Sequence, residues 1–239
     1  MKANSNICSA KGNALFLILV GVGLFAALGF AMTQGSRGSG ANLSKELLEL
    51  HVTEIVEYSN KLRNALMTMK AIGCEDDEIS FERRPFDGSD TDYFNASAPS
   101  DFSCHMFHAK GGGMKERTYS EDIYDPAVSV TFQQSFNADN RINNVGSNTA
   151  ELIYVISGLT DDMCLNINEK LGLGAATITD AAFAASGTTF VGVYGSGDAT
   201  TQNIAEGTVF EGNTQGCIQE TSGCSGVTCN HYVRVLIKK

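Results

Sequence analysis

The sequence contains no tryptophan and only 3 prolines, and charged residues make up just 18% of its 239 positions. Low charge beside 43% hydrophobic residues excludes a largely disordered chain. Basic residues are the scarcer sign, 17 against 27 acidic, for a formal net charge of -10. Such a chain lacks the basic footprint that a nucleic-acid backbone requires, so DNA and RNA are excluded as partners. Acid is missing altogether from residues 1–37, and all 27 Asp and Glu residues lie beyond Arg37. Missing too are a Gly-x-Ser-x-Gly elbow, a His-Glu-x-x-His helix and a Walker-type loop. Lys110–Gly113 lacks the Lys-Ser/Thr ending of a phosphate cradle, and Gly192–Gly197 lacks a dinucleotide fingerprint, so both read as turns. No cofactor is implied, and an enzyme is not expected.

What is present begins with Ala14–Met32, 19 residues without charge or strong polarity. About 20 apolar residues cross a bilayer core as a helix, so a transmembrane segment is expected over 13–34. Lys2 and Lys11 precede it, which by the positive-inside rule leaves the N-terminus cytoplasmic and the acidic body periplasmic or extracellular. The expected organisation is a basic leader at 1–12, the helix at 13–34, a Gly/Ser linker at 35–41 and a head domain at 42–239.

Within the head, Ser44 caps a helix whose apolar stripe runs through Leu48, Val52, Ile55, Leu62, Leu66 and Met69, with Ser59 in the gap and Gly73 at the end. Strands are expected at 79–86, 128–136, 188–194 and 231–238, and a helix pair at 149–157 and 160–171. In the second of that pair Thr160 is the cap, Asp161 and Asp162 sit in the first turn, and Gly172 closes the end. The fold class is therefore α+β: a long N-terminal transmembrane and amphipathic helix followed by an antiparallel sheet with inserted short helices.

One of the 7 cysteines, Cys8, precedes the apolar run, and Cys74, Cys104, Cys164, Cys217, Cys224 and Cys229 follow it. An even set beyond the anchor reads as a disulfide framework in an oxidising compartment. Sequence does not select among the possible connectivities. Closures that pin a loop at an element boundary favour Cys74–Cys104, Cys164–Cys217 and Cys224–Cys229. Two metal readings stand beside this one. Cys217, Cys224, Cys229 and His231 carry the ligand types of a structural zinc site, without its usual short-spaced pairs. Asp87, Asp90 and Asp92 form a weak calcium candidate, outside an EF-hand pattern. Cys104, His105 and His108 read as a disulfide beside surface histidines.

Lys11-Gly12-Asn13, a basic leader ending in Gly ahead of an uninterrupted apolar helix, resembles the type IV prepilin signal. The run from Asn13 to Gly38, Gly73-Cys74 and the Ala98-Pro99-Ser100-Asp101 stretch before Cys104-His105 are similar to a group of membrane-anchored, prepilin-like bacterial proteins. The resemblance implies a pilin-like fold, cleavage between Gly12 and Asn13 by a prepilin peptidase, and a single-pass place in a bacterial inner membrane. It also implies a structural role among homo- or hetero-polymeric filament subunits. Leu17 stands where the family carries Glu, which points to a minor or tip component of a pilus or secretion pseudopilus. The rival reading is a bitopic envelope protein that binds a periplasmic ligand and does not polymerise.

Overall fold

The computed structural model describes residues 13–147, 149–174, 178–179, 189–195, 202–204, 208–224 and 227–239. The chain divides into two units, residues 1–47 and residues 48–239. Helix α1, Asn13–Ala71, contributes to both.

In the first unit, Ile18, Leu19, Val22 and Leu24 are 60–69% exposed. Among the described residues no helix is long and apolar enough to cross a membrane. This overturns the expected transmembrane helix and, with it, the single-pass inner-membrane placement. Residues 35–41, expected as a linker, are helical within α1.

In the second unit, Val52, Ile55, Tyr58, Ser59, Leu62, Leu66 and Met69 are buried at alternating three- and four-residue spacings, one face of the helix. They join the main core with Tyr154, Tyr232 and Leu236 from the sheet. Ser59 Oγ and the Tyr232 hydroxyl hydrogen bond at 2.6 Å, which ties helix to strand. The helix ends where Gly73 takes φ +111° and the Cys74 amide donates back to the Met69 carbonyl.

The sheet comprises β1 (Gln134–Ile142), β2 (Glu151–Leu159), β3 (Gln202–Ile204), β4 (Gln215–Cys224) and β5 (Val227–Ile237), in the order β3-β1-β2-β5-β4. Its four longer strands pair antiparallel, but β3 pairs parallel to β1. The expected transmembrane helix is therefore corrected, while the expected antiparallel sheet is present with β3 added parallel at one edge. A second core of Ile153, Val155, Ile218, Val233, Val235 and Phe210 covers the opposite face.

The expected helix at 149–157 is the central strand β2. All nine of its residues are buried, because both faces of the sheet are covered, so its pattern is a continuous apolar run rather than an alternation. Ile153, Val155 and Ile156 are the β-branched residues that decide for a strand. Helix α2, Asp161–Lys170, starts as expected, with the Thr160 side chain accepting from the Met163 amide at 3.3 Å. Of the expected strands, 231–238 falls largely in β5, while 128–133 lie outside a strand and β1 starts at Gln134. Segment 79–86 is irregular, with a bridge from Ser80 to His105, and the described part of 188–194 has one bridge, Thr189 to Asn137.

Candidate functional site

Three disulfides join Cys74 to Cys104, Cys164 to Cys217 and Cys224 to Cys229. The first fastens the end of α1 to the loop at Cys104. The second fastens α2 to β4, where the Asn168 carboxamide also makes two hydrogen bonds, of 2.7 and 2.8 Å, to the Cys217 backbone. The third closes the β4–β5 hairpin. Gly12 lies outside the described residues, and Asn13 begins α1.

The acidic turn does not converge on a cation. Asp87 accepts from the Ser89 amide, Asp90 accepts from the Arg83 amide, and Asp92 is exposed. Nor do the four residues of the zinc reading stay together. Cys217 lies opposite Tyr232, the neighbour of His231, and so faces the other side of the sheet. The remaining three do converge. Potential ligand atoms of Cys224, Cys229 and His231 all lie within 4.8 Å of one another and are buried.

Sheet register explains the convergence. His231 pairs with Ser157 on β2 and with Ile218 on β4, and Glu220 pairs with Cys229. Side chains two residues apart on a strand share a face, so Ser157, His231, Cys229 and Glu220 all project to the same side. His231 Nδ1 is 3.0 Å from Ser157 Oγ, and Nε2 is 3.3 Å from Glu220 Oε2. A Ser–His–carboxylate row has the components of a hydrolytic relay. Ser157 and His231 are 3% and 0% exposed, however, so no substrate carbonyl reaches the hydroxyl in this arrangement. The row holds and orients an imidazole.

A second buried acid–imidazole pair lies near the Cys74–Cys104 bond. Glu82 Oε2 is 3.4 Å from His105 Nε2, and Glu82 Oε1 accepts from the Gly88 amide at 2.7 Å. Phe86 and Phe102 pack edge-on against the His105 ring. Burial holds the His105 pKa below the ordinary imidazole value, against the opposing pull of Glu82. The glycine turn at 110–113 packs against this pair: a Cβ on Gly111 would lie 2.2 Å from the His105 carbonyl oxygen. Expected to lie at the surface, His105 is instead a core residue, 5% exposed.

A cleft of about 560 Å³ opens between Tyr58, Arg83, Glu116 and Arg117 on one side and residues 128–134 on the other. Its cations are partly neutralised: Arg83 is 3.8 Å from Glu116, and Arg117 pairs with Glu54. The Arg83 guanidinium also lies over the Tyr93 ring, 4.8 Å from its centre.

No protein-family model, curated protein or solved structure matches the chain. The likeness to prepilins therefore rests on sequence motifs alone.

Sequence reasoning missed Glu220 and Ser157 as partners of His231. Ser157 was assigned to a helix, and only strand register brings it opposite His231. It also missed Glu82 beside His105, a pairing made by an irregular loop with no spacing signature.

Proposed function

We propose that the protein is a non-enzymatic structural subunit that assembles with copies of itself, or with related subunits, through its N-terminal helix. The observation that carries this reading is the exposure of Ile18, Leu19, Val22 and Leu24, each 60–69% open. With Val20 at 42%, these five side chains lie all around the helix circumference at 100° per residue. A helix apolar on every side requires cover on every side, which several neighbouring helices supply and one partner does not. Burying one such side chain contributes about 1.5–3 kcal/mol. Gly21 and Gly23 add room, since a Cβ built on either meets no atom within 4 Å. In this reading a prepilin peptidase matures the chain after Gly12, and the subunit serves as a minor or tip component of a filament.

The test compares the full chain with a variant carrying Ile18→Gln, Leu19→Gln, Val22→Gln and Leu24→Gln, by sedimentation velocity and electron microscopy. Regular assemblies for the wild type and monomers for the variant are the expected result. A monomeric wild type, or equal assembly in both, overturns the reading. For maturation, co-expression with a prepilin peptidase should yield an intact mass starting at Asn13, and Gly12→Arg should abolish it.

The cleft supports a second reading, a ligand-binding domain that does not assemble. Arg83→Ala with Arg117→Ala would then abolish ligand capture and leave the oligomeric state unchanged.

A further inference from the structure

The Cys224–Cys229 bond occupies the ground of a different site. Both sulfurs lie within 4.8 Å of a His231 ring nitrogen, and the cluster is buried, Cys224 at 6%, Cys229 at 1% and His231 at 0% exposure. We propose that reduction of this disulfide uncovers a site for Zn²⁺, or a divalent cation of like softness, ligated by Cys224, Cys229 and His231.

The geometry fits the ion. Tetrahedral zinc with Zn–S of about 2.3 Å and Zn–N or Zn–O of about 2.0–2.1 Å places sulfurs about 3.8 Å apart and lighter ligands about 3.4 Å apart. Glu220 Oε2, 3.3 Å from His231 Nε2, lies beside the imidazole and outside the three-residue cluster. Once the S–S bond is open, the two sulfurs are no longer held at bonding distance and can take up the first edge. Water takes the fourth position, as at zinc sites with three protein ligands. The outer shell is in place as well. Ser157 Oγ, 3.0 Å from Nδ1, accepts the imidazole proton there and directs the Nε2 lone pair to the metal. Two thiolates offset the ion's charge, as burial requires, and the Glu220 carboxylate lies behind the imidazole.

The chemistry balances with a dithiol as reductant. Its two sulfurs give up two electrons and two protons and become a disulfide, while Cys224 and Cys229 each gain one electron and one proton. Zinc then displaces the two thiol protons to solvent as both Zn–S bonds form. The β4–β5 hairpin thus carries one cross-link when oxidised and a different one when reduced. Metal binding at this hairpin does not depend on how the subunit assembles.

The test uses the full chain, reduced with a phosphine and titrated with Zn²⁺ and with Co²⁺, beside the Cys224→Ser/Cys229→Ser double variant treated identically. That variant keeps the four cysteines of the other two disulfides, so metal taken up by those thiols appears in both proteins. Reduced wild type should bind about one ion per chain more than the variant, with cobalt showing the absorption of a tetrahedral thiolate site. Zinc should protect Cys224 and Cys229 from alkylation and leave Cys74, Cys104, Cys164 and Cys217 reactive. Ser157→Ala should keep the stoichiometry and weaken affinity about tenfold, as loss of an outer-shell partner does. No excess metal over the double variant, or protection at the other cysteines, overturns the proposal.

Discussion

Glu151 begins the central strand with no exposed surface. Its Oε2 accepts from the Ile142 amide at 2.8 Å, but burial outweighs that bond and raises the carboxyl pKa from 4.5 to about 7. A folded-state value above the unfolded one means that the native chain holds its proton more tightly. Below pH 4.5 both states are protonated and the group has no effect on the pH dependence of stability. As pH rises from 4.5 to about 7, the unfolded chain releases the proton first and stability falls. Above that window the loss is complete. At 1.36 kcal/mol per pKa unit the full shift corresponds to about 3 kcal/mol. The value of about 7 already includes the opposing pulls of Arg141 and Lys238, and because a buried site relaxes around a new charge, about 1–2 kcal/mol is expected. Glu151→Gln removes the titration and keeps an acceptor for the Ile142 amide. Urea unfolding at several pH values from 4.5 to 8 measures the difference. The variant should gain about 1–2 kcal/mol relative to wild type between the ends of that range, with unchanged m-values. Parallel pH profiles for the two proteins would show that burial does not hold this carboxyl neutral, and the reasoning would be refuted.

His105 has the opposite sign: its lowered pKa means the unfolded chain protonates first, so stability is lost as pH falls below about 6.5. His105→Gln should flatten that acid limb, measured by the same unfolding series. Removing the Cys164–Cys217 bond as Cys164→Ala/Cys217→Ala should cost about 2–4 kcal/mol, read as a lower urea midpoint. Ser59→Ala leaves the buried Tyr232 hydroxyl with one weaker partner, Gln215 at 3.3 Å, and should cost about 1–2 kcal/mol. Tyr232→Phe alone should cost a similar amount, and the double variant should cost less than the sum of the two.

The parts of this fold that were legible in the sequence are those in which local chemistry and tertiary packing agree. The stripe from Val52 to Met69 is buried at helical spacing, Thr160 caps α2, and Tyr232 to Ile237 sit in β5. Residues 149–157 failed because burial on both faces removes the alternation that distinguishes a strand, and a short apolar run fits either element. The transmembrane reading of residues 13–34 rested on composition, and the described residues contain no helix that meets the requirement for a span.

The candidate site was half legible for a related reason. Residue types pointed to Cys224, Cys229 and His231, but a strand alternates its faces, so grouping them with Cys217 required a geometry that the sheet forbids. Cys217 and Ile218 are adjacent, and only the second shares a face with His231. Glu220, two residues beyond Ile218, returns to that face and meets the imidazole. Strand register therefore places a carboxylate, not a third sulfur, beside the imidazole. It also supplies Ser157 from a strand more than seventy residues away in sequence. With the disulfide reduced, two sulfurs and one imidazole nitrogen would form a donor set that favours zinc over a cation preferring oxygen alone.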